Sequence, residues 1–179
     1  MKKKKRNFDA QFWSGTKKHS VPELLETFFQ FNDLAMVKEA LSTMVQCSVR
    51  KKARITDHPA EVFHLYQSLW SLVRAGHVIG KASAKWTASP PPEAGASKYL
   101  MTSLSEEEYR NPVPVFRSVF KACSREELED FLATVTYFSL GKVRCREEKI
   151  TVPYIQLTKM LDAASLLTER GLTKQNART

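Results

Sequence analysis

Apolar side chains recur every three or four residues along most of this chain, and this spacing restricts it to a helical fold. One such run follows Pro22, a second follows Asp33 and a third follows Pro59, while two more precede Gly141 and Gly171. We find no segment with the strict apolar–polar alternation of a half-buried strand. The sequence therefore predicts an all-α helical bundle with about six main helices.

Capping residues indicate where these helices begin. Ser20 precedes Pro22 by two residues, which favours a helix start because serine accepts a free N–H and proline is tolerated in the first turn. Ser124 and Glu127 have the spacing of a capping box. Asp33 provides another cap, so the region after Ser20 forms either one long bent helix or two short ones.

Glycines and prolines indicate where the helices end. We expect the central helix, which begins at Asp57–Pro59, to end near Gly76, and the last helix to run from Thr151 to Gly171. Pro90–Pro92 favours an extended connection. Residues 1–19 are predicted to form a basic N-terminal arm, and residues 172–179 a mobile polar tail. Between them, residues 20–171 form a single helical domain, whose halves 20–79 and 105–171 are joined by a Pro-rich linker, residues 80–104.

The two halves show signs of an internal repeat. Residues 22–49 align with residues 113–140 at an offset of 91, which pairs Asp33 with Ser124 and Leu41 with Leu132. Eleven of the 28 aligned pairs are apolar in both copies, where segments of this composition would give about eight by chance. We interpret the bundle as two pseudo-repeated three-helix units.

Positive charge is the main functional signal. The chain has 28 Lys and Arg against 19 Asp and Glu, and residues 1–19 alone carry seven basic side chains and one acidic side chain. Two other basic clusters follow corresponding helices of the two halves, and such clusters attract phosphates. The residues predicted to contact nucleic acid are Lys3, Lys4, Lys5, Arg50, Lys51, Lys52, Arg54, Lys142, Arg144 and Arg146.

Aromatic residues follow the lysine run of the N-terminal arm. Phe8, Phe12 and Trp13 are able to stack on bases or to insert at a membrane surface. Aromatic side chains that flank a domain more often pack against its core. We expect these three to do the same.

The sequence lacks the common signatures of catalysis and metal binding. It contains no His-x-x-x-His or Cys-x-x-Cys pair, no Walker-type loop and no Gly-x-Ser-x-Gly motif. We expect no enzymatic activity, no metal and no cofactor. A more distant alternative is a phosphate-directed enzyme that uses Arg54 and His58.

Cysteine use and hydropathy bear on the compartment. Cys47, Cys123 and Cys145 are an odd number without close pairing, which is typical of a reducing environment. We expect Cys47 and Cys123 to be buried, whereas Cys145 lies in a loop with cationic neighbours on both sides. No apolar run reaches the roughly 18 residues of a membrane-spanning helix. The sequence thus predicts a cytoplasmic protein without membrane insertion.

These observations favour a non-enzymatic accessory protein that binds the nucleic-acid backbone through basic loops, without base specificity. The alternative is a protein-interaction module or assembly subunit, in which an apolar helix face or residues 80–104 bind a protein partner and the positive charge serves solubility. Neither DNA nor RNA is favoured by the sequence.

Overall fold

The computed structural model describes residues 20–50, 53–56, 58–91 and 102–174. Within these residues the fold is helical, which confirms the predicted class, and it also has one two-stranded sheet. The elements are α1 (Val21–Phe31), α2 (Leu34–Val49), α3 (Pro59–Lys81), β1 (Trp86–Ala88), α4 (Glu106–Arg110), α5 (Val113–Ala122), α6 (Arg125–Leu140), α7 (Thr151–Arg170) and β2 (Leu172–Lys174).

The predicted caps form and separate the helices. The Ser20 hydroxyl accepts a hydrogen bond from the Glu23 N–H at 3.3 Å. The Asp33 carboxylate accepts one from the Met36 N–H at 3.1 Å, so α1 and α2 are two helices rather than one bent helix. The capping box at Ser124 is complete, because its hydroxyl and its N–H both bond to Glu127.

The prediction that the central helix ends near Gly76 is wrong, because α3 continues to Lys81. Gly76 allows close packing inside the helix: a Cβ there would lie 2.6 Å from the Met160 sulfur. A Cβ at Gly80 would lie 3.1 Å from the backbone oxygen of Phe116. Both glycines are therefore where α3 crosses its neighbours.

The small sheet corrects two further predictions. β1 and β2 pair antiparallel, with Trp86 opposite Lys174 and Ala88 opposite Leu172. The start of the proposed 80–104 linker is thus helix and strand, and the first three residues of the proposed mobile tail form a strand. Residues 92–101 of the proposed linker and 175–179 of the proposed tail lie outside the described part of the chain.

The two halves share one core. α2 packs along α6, α3 packs against α5 and α6, and α1 and α5 both pack against α7. The buried cluster takes side chains from both halves, including Leu41, Leu69, Phe116, Leu132 and Leu161. α2 and α6 are each 16 residues long and start 91 residues apart, as in the sequence alignment. Among the described helices, none is long and apolar enough to cross a membrane.

Candidate nucleic-acid interface

The loops that follow α2 and α6 meet through two reciprocal backbone hydrogen bonds. The N–H of Cys145, in the loop after α6, donates to the carbonyl of Ser48 in the last turn of α2 at 2.7 Å. The N–H of Ile55, in the loop after α2, donates to the carbonyl of Ser139 in the last turn of α6 at 2.8 Å. The C-terminal ends of both helices therefore lie together.

Ser48 and Ser139 are locally alike. Both are fully buried, and each hydroxyl donates to the carbonyl three residues earlier, Val45 at 2.7 Å and Thr136 at 3.0 Å. The last carbonyls of a helix have no partner within it and need one from elsewhere. Here each half supplies the missing donor to the other half, which fixes the two loops relative to each other.

Five of the predicted contact residues lie in or beside these paired loops. Arg54 precedes Ile55 in the chain, and Arg144 and Arg146 flank Cys145. Arg50 and Lys142 follow the last residues of α2 and α6. All five are exposed, and within the described residues none of them makes an ion pair. We call Arg50, Arg54, Lys142, Arg144 and Arg146 the basic surface.

The other predicted contact residues are not described by the structure. Lys3, Lys4 and Lys5 belong to residues 1–19, and Lys51 and Lys52 to the loop after α2, all outside the described ranges. The structure thus brings together the described part of each basic loop.

Acidic residues also lie close to the basic surface. Glu147 and Glu148 follow Arg146 in a short 3₁₀ turn and are exposed. Neither pairs with a cation of the basic surface at ion-pair distance. The exposed Lys149 ends the same turn and adds a positive charge there.

The side chains with potential for other chemistry are dispersed. His58 is 74% exposed, adopts a left-handed backbone conformation and lies 3.8 Å from Glu61. Within the described residues, no three His, Cys, Asp or Glu side chains come together as metal ligands would. Burial, with a smaller effect of the Glu127 charge, raises the pKa of the Cys123 thiol to about 11, so this thiol stays protonated at neutral pH.

One cysteine differs from its predicted environment. Cys47 is half-buried rather than buried, and the loop residue Cys145 is also half-buried. The Cys145 environment follows from the loop pairing, because its N–H bonds to Ser48 and its sulfur lies 3.5 Å from the Arg146 carbonyl.

An open groove that was not predicted from the sequence borders the basic surface. The groove lies between the start of α2 and the first turns of α3 and has a volume of about 750 Å³. Ile55 lines it and also donates the hydrogen bond to Ser139. A sequence signal for this groove exists in the four consecutive apolar residues Leu34–Val37, which cannot all be buried on one helix face; Met36 is 70% exposed. We call this the α2–α3 groove.

Comparison of the chain with protein-family models, curated proteins and solved structures finds no match. Its function is therefore inferred from the chemistry of its own residues.

Proposed function

We propose that this protein is a non-enzymatic accessory protein that binds the phosphate backbone of nucleic acid through the basic surface. The observation that supports this most directly is the pair of hydrogen bonds Cys145–Ser48 and Ile55–Ser139. Because these bonds join the two loops, they bring segments with cations more than 80 residues apart in sequence to the C-terminal ends of α2 and α6. Phosphate groups are the natural ligands of such a cluster.

The positive charge of the basic surface exceeds what the helix ends require. The C-terminus of a helix carries roughly half a negative charge, so α2 and α6 together neutralise about one cation. Glu147 and Glu148 neutralise two more at most. Five exposed cations thus leave a surplus of about two positive charges, to which Lys149 adds another. This surplus favours an external anion over a purely structural role.

The arrangement suits backbone contacts rather than base reading. All five cations extend from loops or helix ends, and none belongs to an exposed helix face of the kind that enters the major groove. Long, flexible Lys and Arg side chains follow phosphates without regard to sequence. We therefore expect similar affinity for oligonucleotides of different base composition.

The experiment compares two variants of equal charge by fluorescence anisotropy with a labelled oligonucleotide of mixed sequence. The first variant carries Arg54→Glu, Lys142→Glu, Arg144→Glu and Arg146→Glu. The matched control carries Lys81→Glu, Lys85→Glu, Arg117→Glu and Lys121→Glu, four exposed cations near the other end of α3 and on α5. Lys81 is roughly 33 Å from Pro59 along the helix axis.

Binding at moderate salt should be abolished in the first variant and retained in the control. Because both variants change the net charge equally, a general charge effect would weaken both to the same extent, and that result would contradict the proposal. Circular dichroism of each variant verifies that the helices are intact.

The α2–α3 groove is the feature that favours the alternative, a protein-interaction module. Its apolar walls include Phe31, Met44 and Leu65, and exposed apolar grooves commonly accept peptide segments. Oligonucleotide binding that is absent in the unmodified protein at low salt, together with saturable binding of a protein ligand in this groove, would favour this alternative.

A further inference from the structure

The α2–α3 groove combines apolar walls with an acidic rim. Met36, Met44 and Ile55 are among its apolar residues, while Glu39 and Glu61 contribute exposed carboxylates. Among the described residues that line it there is no Lys or Arg, although the whole chain carries a net charge of +9. Within the described residues Glu39 has no ion-pair partner, and the one ion-pair partner of Glu61 is the exposed His58 at 3.8 Å. The groove therefore suits a segment that is both cationic and apolar.

The N-terminal arm has this composition. Residues 1–19 contain seven basic side chains and a single acidic one. Phe8, Phe12 and Trp13 lie between the basic run that ends at Arg6 and the pair Lys17–Lys18. Aromatic side chains supply the apolar area that would fill the groove, and the flanking cations complement its rim.

The arm is also long enough to reach the groove. Ser20 caps α1, and Phe31 at the other end of α1 lines the groove. The helix spans roughly 15 Å between them. The seven residues from Ser20 back to Trp13 cover up to roughly 23 Å when extended, so Trp13, Phe12 and Phe8 are all within reach. The covalent link also raises the local concentration of the arm into the millimolar range.

We infer that the α2–α3 groove binds the aromatic segment Phe8–Trp13 of the protein's own N-terminal arm. The interaction requires no nucleic acid. It has one consequence that rests on the proposed function: Ile55 lines the groove directly after Arg54, so a docked arm brings Lys3–Lys5 next to the basic surface. The arm then extends this surface.

Photo-crosslinking in the full-length protein tests the inference. A p-benzoylphenylalanine in place of Phe12 abstracts hydrogen from C–H groups within a few ångströms, and mass spectrometry locates the bond. We expect crosslinks within one chain to Met36, Met44 or neighbouring residues of the groove. The same probe in place of Tyr137, which is 72% exposed on α6, should give none to the groove.

Two charge-reversal variants in the Phe12-substituted protein test the role of the rim. Glu39→Lys with Glu61→Lys should lower the yield of groove crosslinks by about fivefold or more, since two attractive charges become repulsive. The control, Glu107→Lys with Asp130→Lys, should leave the yield unchanged. The two variants are matched in position. Each reverses one acid in the first turn of a helix, Glu61 of α3 or Glu107 of α4, and one exposed acid within a helix, Glu39 of α2 or Asp130 of α6.

Three results would overturn the inference: crosslinks from position 12 that map elsewhere, crosslinks that join two chains, or equal yields in both charge-reversal variants. A product that joins two chains at the groove would identify a second copy as the occupant. The experiment contains no nucleic acid, so its failure leaves the proposed function intact. If the unmodified protein does not bind oligonucleotide at low salt but the groove crosslinks form as expected, the proposed function alone is refuted.

Discussion

Ser48 and Ser139 are 91 residues apart in the chain and occupy the same position one residue before the end of α2 and α6. Each serine is fully buried, and each carbonyl accepts the backbone N–H of a residue from the loop of the other half. The relationship explains why the two basic loops share a location. The loops follow two helices of equal length, and the exchanged hydrogen bonds join the C-terminal ends of those helices.

Neutral substitutions in the basic surface should reduce the salt dependence of nucleic-acid binding. Each phosphate contact contributes about −0.7 to the slope of log K against log salt for single strands. The variant with Arg54→Gln, Lys142→Gln, Arg144→Gln and Arg146→Gln should therefore have a slope less negative by about 3 units. Anisotropy titrations between about 50 and 200 mM salt measure this. An unchanged slope with lower affinity would indicate that these side chains do not contact phosphates.

Asp162 should be a major contributor to stability. Its side chain is 1% exposed and accepts hydrogen bonds from the Lys38 ammonium at 2.9 and 3.1 Å and from the N–H and hydroxyl of Ser103 at 2.7 Å each. Asp162→Ala leaves these donors unpaired, and we expect the free energy of unfolding to fall by about 3 kcal/mol. Urea denaturation measures it. The exposed Asp130→Ala should change it by less than about 0.5 kcal/mol, and a similar loss in both variants would contradict this account.

Gly76→Ala should destabilise the protein although alanine favours helices. The helix propensity gain is about 1 kcal/mol, but the new Cβ would lie 2.6 Å from the Met160 sulfur and 3.0 Å from the Phe116 ring. Overpacking of this kind costs about 1–3 kcal/mol. In a Met160→Ala background the cost should shrink, because one of the two close contacts is removed. A double-mutant cycle of unfolding free energies that shows no coupling would refute the packing explanation.

His77 should make stability depend on pH near neutrality. Burial lowers the pKa of His77 below its usual 6.5, and the charges of Lys81 and Arg125 lower it further, which outweighs the opposite effect of Glu126 and Glu129. The unfolded chain then binds more protons than the native state as the pH falls through 6.5. We expect the free energy of unfolding to decrease from pH 8 to pH 5.5.

A non-titrating variant tests the His77 prediction. The Nδ1 atom of His77 is buried without a hydrogen-bond partner in the described residues, and its ring packs edge-to-face on Phe120 at 4.9 Å. Protonation would bury an unpaired donor there. His77→Gln should flatten the pH dependence measured by urea denaturation between pH 8 and 5.5. An identical pH profile in both proteins would contradict the assignment of the effect to His77.

Local signals were sufficient to predict most helix boundaries. The caps at Ser20, Asp33 and Ser124 depend on residues within three positions of each other, and the structure confirms all three. Gly171 also ends α7 as predicted, with a φ of 77° that glycine adopts without strain. Such boundaries are set by neighbouring residues and can be read from sequence alone.

Long-range contacts account for what the sequence could not predict. β1 and β2 are three residues each and pair across more than 80 positions, so neither shows a periodic pattern of its own. Gly76 was wrongly predicted to end a helix. The reason for a glycine there is its close packing against Met160, a residue of another helix. The same limit applies to the candidate site: the sequence placed cations in equivalent loops, but the hydrogen bonds that join those loops depend on the tertiary fold.

The exchange of donors at Ser48 and Ser139 means that each half of the chain needs the other half to complete its helix end. A half on its own retains a buried helix-terminal carbonyl whose partner belongs to the other half, and its strand loses its antiparallel partner. Cleavage of the chain between Pro91 and Thr102 should therefore leave two fragments that stay associated without a covalent connection. Each fragment would fold only in the company of the other.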